Sequence, residues 1–199
     1  MKKVEFGKKA RTKLVEGIDI LADAVVSTLG PNGRNVFIQK GIVEPPQSTK
    51  DGVTVARSIV LKDPELEMGV QAMKYAAIKT ADKAGDGTTT STLLAREMVH
   101  AGLEGLNNGE NAVKIKRDID KSVKQVVSKL KDIAEDISDE SQLTQIATVS
   151  ANNDEEIGSL ISTGIEKVGP KGVVHIETSK TGETYIETVE GMQFSRGYK

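Results

Sequence analysis

The sequence predicts a multidomain, mainly α chain: an all-α unit with short strands over residues 1–133, then a small α+β unit over 134–190. Three observations carry this. Apolar residues recur at three- and four-residue spacing through long segments, as helices with one buried stripe require. Glycine, proline and asparagine clusters break those segments sharply. Near Ile137 the texture changes to polar helix starts and then β-branched runs.

The first helix spans residues 8–29, with Leu14, Ile18, Leu21, Val25 and Leu29 on one stripe. It stops at Leu29-Gly30-Pro31-Asn32-Gly33, where proline and glycine favour a tight turn. Residues 35–39 read as a short strand, and 41–48, with Pro45-Pro46, as loop. Thr49-Lys50-Asp51-Gly52 turns into Val53-Thr54-Val55-Ala56, a short extended piece or the start of a strand-to-helix step. A second helix covers 64–84 through Met68, Val70, Met73, Ala77 and Ala81, and a third covers 88–101 through Leu93, Leu94 and Met98. Residues 102–109 read as loop. A fourth helix, 111–135, keeps Ile115, Ile119, Val123, Val126, Leu130 and Ile133 in register with lysines outside.

Beyond Ile137, Ser138-Asp139-Glu140-Ser141 is a helix start leading to Leu143, Ile146 and Val149. Asn153-Asp154-Glu155-Glu156 opens another, with Ile157, Leu160, Ile161 and Ile165 inward. Gly169-Pro170-Lys171-Gly172 is a turn, and 173–178 with 184–189 form a hairpin around Lys180-Thr181-Gly182. The last residues, 191–199, have no terminating logic of their own and read as the entry to a further domain.

Composition narrows the function classes. Net charge is −2 with basic and acidic residues interspersed, so no nucleic-acid or membrane footprint is visible. Without cysteine there is no disulfide framework or thiolate metal site. His100 and His175 are the only histidines, too far apart to suggest a zinc site or a Ser-His-Asp triad; they read as a helix-surface and a strand residue. No apolar run approaches the roughly 20 residues of a membrane span, and the N-terminus lacks signal- or transit-peptide character. The expected compartment is the cytosol.

Gly85-Asp86-Gly87-Thr88-Thr89-Thr90 concentrates the chemistry. Two glycines let backbone approach a ligand closely, an acid between them suits a divalent cation, and three hydroxyls follow where a helix begins. Free N–H groups and the positive dipole end make such a start an anion site. The same six residues also serve as a plain Gly–Asp turn with a threonine cap. Thr28-Leu29-Gly30-Pro31 adds a second glycine turn, Thr49-Lys50-Asp51-Gly52 a cation, an acid and a glycine, and Ser150-Ala151-Asn152 a polar helix end. Each alone reads as an ordinary turn or a surface residue. No G-x-x-x-x-G-K-[ST] occurs, which excludes a P-loop ATPase.

In this order the segments resemble GroEL-type group I chaperonins. The resemblance runs from Phe6-Gly7 through Ala22-Asp23-Ala24-Val25, Thr28-Leu29-Gly30-Pro31, Gly33-Arg34-Asn35-Val36, Thr49-Lys50-Asp51-Gly52-Val53, Ala84 to Thr90, Lys116-Arg117 with Ile119-Asp120-Lys121, and Val149-Ser150-Ala151-Asn152. It ends in Val189 to Phe194 and Arg196-Gly197-Tyr198.

The resemblance implies an incomplete all-α equatorial domain with short strands (1–133), the first segment of a small α+β intermediate domain (134–190), and the start of an apical domain (191–199). It implies ATP with Mg²⁺ and K⁺ as cofactors. Asp86 is then the metal ligand, and Gly87, Thr88, Thr89 and Thr90 wrap the phosphates. Thr28, Leu29, Gly30 and Pro31 line the nucleotide. Lys50 supports phosphate and potassium through its backbone oxygen, Ser150 closes from the intermediate domain, and Asp51 serves hydrolysis. The partners implied are a homo-oligomeric ring, non-native client proteins and a co-chaperonin lid, with no nucleic acid or membrane.

The departures are equally specific. Family members are more than twice as long. A second equatorial segment, the returning intermediate strand with its water-activating acid, and nearly all of the apical domain have no counterpart here. Ser195 stands at a usual aspartate position, Asn32 at a basic one, and Tyr198 falls where the apical binding surface lies. Two readings follow: an ATP-driven ring chaperonin subunit, or a truncated chaperonin that binds or modulates a ring without hydrolysis. An unrelated nucleotide enzyme is a third, which no motif favours.

Overall fold

The computed structural model describes residues 4–169, 172–189 and 191. The turn expected at Pro170-Lys171 and the segment 192–199, with Ser195 and Tyr198, lie outside the described residues. Among the described residues the protein is mostly helical with one small sheet, and the chain divides into two compact units, Met1–Ile133 and Ala134–Lys199.

The first unit is built on α1 (Gly7–Val26), β1 (Val36–Ile38), β2 (Gln47–Thr49), α2 (Gly52–Ser58), α3 (Pro64–Ala84), α4 (Thr88–Asn107) and α5 (Ala112–Ile133). Ile18, Leu21 and Val25 of α1, Val55 and Ala56 of α2, and Val70, Met73 and Ala77 of α3 form its core; Ala95 and Val99 of α4 pack against it. α1 and α3 cross with their backbones in contact. A Cβ added at Gly17 falls on the Leu66 carbonyl, and one at Gly69 falls on the Leu14 carbonyl, so the crossing admits no side chain at either position. Arg96 Nη1 to Asp23 Oδ1 (2.8 Å) and His100 Nε2 to Asp19 Oδ1 (2.7 Å) tie α4 to α1. Lys13 Nζ reaches Asp63 Oδ2, the N-cap of α3, at 3.2 Å.

Several boundaries differ from expectation, each for a physical reason. α1 ends at Val26 rather than Leu29, because the Thr28 and Leu29 N–H groups turn back to Val25 and Val26. Residues 47–49 pair antiparallel with β1 (Val36 with Thr49, Ile38 with Gln47) instead of looping. Residues 53–56 are helical because the Asp51 carboxylate caps α2. α4 runs on through Gly102 and Gly105 to Asn107, since Ile115 and Ile119 of α5 lie against those glycines. Met68, Leu94 and Met98 face outward, and Thr88 and Thr92 occupy the buried positions of α4. α5 has the expected apolar stripe, but buries none of its residues.

The second unit pairs α6 (Glu140–Ser150) with α7 (Glu155–Val168). Gly158 sits over Thr148, and Thr144 Oγ1 donates to the buried Ser162 Oγ at 2.9 Å. Asp139 and Asp154 cap the two helices by accepting from the Gln142 and Ile157 N–H groups. Ile157, expected inward, is exposed, as are Ile146 and Val149. Among the described residues, 173–178 and 184–189 form no ladder, and His175 is not in a strand. The chain bends at 180–182, with Gly182 at φ +77°, but Val173, Ile176 and Tyr185 remain exposed. A lone two-stranded hairpin without a surface to cover is marginal in water.

Candidate functional site

Three sequence-distant segments meet at the end of α1. After Val26 the chain makes a closed turn: Arg34 N–H returns to the Ser27 carbonyl (2.9 Å) and Gly33 N–H to the Gly30 carbonyl (3.0 Å). Gly30 has φ +70°, a conformation that favours glycine. Gly33 lies against the Thr28 and Gly30 carbonyls with no room for a Cβ. Thr28 is buried, and its Oγ1 lies 3.2 Å from Thr89 Oγ1 at the start of α4. Gly52, the first residue of α2, is the third party: a methyl there falls on Thr89 Oγ1 and 3.4 Å from Val25 Cγ1.

The hydroxyl protons can be assigned. Thr28 Oγ1 donates to the Val25 carbonyl at 2.7 Å. A threonine hydroxyl has one proton, so the contact with Thr89 is made by the Thr89 proton. Thr89 therefore has only lone pairs left to offer, and backbone N–H groups are a further source of donors for an anion. α4 supplies them. Its N-cap is Gly87 (φ 84°), with no side-chain cap bond, so the first-turn N–H groups are not occupied by a capping side chain.

Asp86 is exposed and held in place by the Gly87 N–H, which donates to Oδ1 at 2.6 Å. Gly85 (φ 76°) ends α3, so acid and turn are fixed between two helices. Among the described residues no three His, Asp or Glu side chains are grouped to hold a metal. A divalent ion at Asp86 would complete its shell with ligand oxygens and water, the mode Mg²⁺ favours.

Asp51 accepts from Val53 N–H (3.3 Å) and Thr54 N–H (3.0 Å), and also from the Thr54 hydroxyl. A carboxylate has about four acceptor positions, so capping and holding a water are compatible. Lys50, Gly30 and Pro31 are exposed, Leu29 is 39% exposed, and Thr90 is exposed while Thr88 is buried. The Thr28–Gly52–Thr89 contact is thus flanked along the chain by exposed residues, and we refer to that contact and its flanks as the shelf. Ser150 ends α6 in the second unit and is exposed. Depressions at Lys8, Lys9, Thr12, Lys13 and Glu16, and at Thr144, Gln145, Thr148, Val149, Glu155 and Ser159, include none of the predicted site residues.

Sequence reasoning missed two contributors. Gly52 belonged to a recognised turn, but its contact with Thr89 is a tertiary fact. Thr54 follows Asp51 by three residues, the spacing at which a cap residue reaches helix amides and hydroxyls, and that signal was available.

The sequence pattern of the TCP-1/cpn60 chaperonin family matches residues 21–199. Among solved structures, the chain is similar to the chaperonin gp146 from the bacteriophage EL 2 (Pseudomonas aeruginosa), determined in the presence of ATP-BeFx in two crystal forms. Form II aligns at 35% identity with a TM-score of 0.66, covering 78% of this chain and 27% of that one. Form I aligns at 35% identity with a TM-score of 0.67, covering 79% and 28%. The chain thus spans a little over a quarter of the length of these relatives.

Proposed function

The chain belongs to the TCP-1/cpn60 chaperonin family, and on that premise we propose that it carries the nucleotide site of an ATP-dependent protein-folding chaperonin. The observation that supports this most is the meeting of Thr28, Gly52 and Thr89, drawn from three separate motifs onto one shelf beside the uncapped start of α4. In this reading residues 1–133 are equatorial, 134–190 intermediate and 191–199 the start of an apical domain.

Phosphoryl transfer depends on positioning and charge neutralisation more than on covalent steps. The first-turn amides of α4 after Gly87, at Thr88, Thr89 and Thr90, hold phosphate oxygens. The turn Thr28-Leu29-Gly30-Pro31 lies under the nucleoside side. Asp86 holds Mg²⁺, which neutralises phosphate charge. The Lys50 backbone oxygen would serve phosphate and K⁺. Asp51 orders the attacking water. That gp146 was crystallised with ATP-BeFx supports nucleotide as the ligand class. Ring assembly, non-native clients, a lid protein and a cytoplasmic site of action follow from the same reading. Among the described residues no helix is long and apolar enough to cross a membrane.

Calorimetric titration of the purified chain with Mg·ATP, paired with Asp86→Ala, tests the reading. Saturable binding that loses its Mg²⁺ dependence in the variant is expected. No heat of binding at millimolar nucleotide would overturn it. Binding without phosphate release would select the non-hydrolysing alternative.

A further inference from the structure

Lys74, on α3, is 7% exposed, and no role in the shelf has been given to it. Burying an ammonium is unfavourable unless it is paired. Its Nζ donates to the Arg57 carbonyl at 3.4 Å, in the last turn of α2, where a helix carries its negative dipole end. The charge of Lys74 also acts on the Glu67 carboxylate. Glu67 Oε2 accepts the Leu61 N–H at 2.7 Å, which holds the chain just after α2. Further along α3, Asp82 Oδ1 lies 3.8 Å from Arg57 Nη2.

Positions 67, 74 and 82 recur at seven and eight residues, on one face of α3. All three hold α2 or its exit. The Arg57–Asp82 pair is exposed at both ends and weak for that reason. Lys74 is the buried member. At the opposite end of α2, about 10 Å away for seven residues, stand Asp51 and Gly52. Seven residues are too few to form a helix unaided; Val55 and Ala56 anchor α2 in the core, and the grip on its far end adds to what sets the position of Asp51 and Gly52.

We infer that Lys74 is a positioning residue: its buried ammonium clamps the C-terminal end of α2 to α3 and thereby fixes Asp51 and Gly52 on the shelf. The link to nucleotide rests on the proposed function above.

Hydrogen exchange on the purified chain, with and without Mg·ATP, tests this. In Lys74→Met the α2 amides of residues 53–58 should exchange at least about tenfold faster while α1 and α4 keep their protection. Lys74→Arg, which retains a cation and donor, should restore most of it. Unchanged α2 exchange, or equal loosening of every helix in the unit, overturns the inference. Lys74→Gln replaces the methionine variant if that one does not fold, with the same outcomes. In the second arm, Mg·ATP should slow residues 52–54 and 87–90 in the parent chain, and the effect at 52–54 should vanish selectively in Lys74→Met. Slowing at 52–54 that persists in Lys74→Met overturns the positioning role. No slowing anywhere in the parent overturns the nucleotide reading instead, and leaves the clamp to be judged in the nucleotide-free arm.

Discussion

Gly52 and Thr89 illustrate how much one missing methyl decides. Gly52 does not require a positive φ, and alanine in the first turn of a helix is intrinsically favourable. The only objection to alanine there is Thr89 Oγ1, with Val25 Cγ1 at 3.4 Å behind it. Gly52→Ala should therefore cost about 1–3 kcal/mol of overpacking, and less in a Thr89→Ala background, where the obstructing oxygen is gone. Chemical denaturation of the single and double variants reads this coupling. Additive effects would show that the two residues do not touch. At this scale the sequence was a good guide to which turns matter, since glycines and acids in 28–31, 49–52 and 85–90 announce tight backbone and charge. It was silent on who meets whom. The Thr28–Thr89 contact joins residues 61 apart, and nothing local in either turn encodes the distance. Lys74 was unreadable for the same reason: a lysine in an amphipathic helix looks like solvent-facing charge until its neighbours are placed.

The elements show where local preference yields. Periodicity found α3, α5 and α7 because their apolar stripes are long, whereas α2 was ambiguous because β-branched Val53, Thr54 and Val55 favour strand until the Asp51 cap is counted. Gly102 and Gly105 looked like a helix end, yet Ile115 needs flat surface there and α4 continues beneath it. The α6–α7 pair carries a charge conflict of its own. Loss of hydration and then the negative charge of Glu140 raise the Glu166 carboxyl above its ordinary value. A carboxyl that is a weaker acid when folded holds its proton more firmly there than in the unfolded chain, so stability rises as pH falls through its folded pKa. Glu166→Gln should thus protect α6 and α7 amides at pH 7 and give little gain near pH 4; an equal gain at both would refute the repulsion. Asp63 and Glu67 in the first unit have the opposite sign. Backbone N–H donors at Glu65 and Leu61, then the side chains of Lys13 and Gln71, lower them. Their contribution is complete above the ordinary carboxylate range and is lost as pH falls through their folded pKa values.

Across the first unit, burial is uneven. The α1–α3 crossing is packed to backbone contact, while α5 touches α4 through Ile115 and Ile119 and then leaves it. Beyond that point Val123, Val126, Leu130 and Ile133 are 43%, 57%, 56% and 73% exposed on a single helix face. Helix propensity alone does not keep such a length of chain folded in water; an amphipathic helix depends on what covers its apolar side. Each Å² of that side is worth about 25 cal/mol when covered, and contiguous apolar surface left wet drives association. A polypeptide of these 199 residues should therefore self-associate at micromolar concentration. Light scattering after size exclusion measures this directly. Val126→Glu with Leu130→Glu, which places acids on that stripe without touching the α1–α3 core, should shift the population toward monomer while leaving any Mg·ATP affinity unchanged, because the proposed nucleotide shelf is built on other helices. A parent chain that is already a clean monomer would contradict the argument. So would a double variant that remains associated, since the adhesive surface would then lie elsewhere than α5.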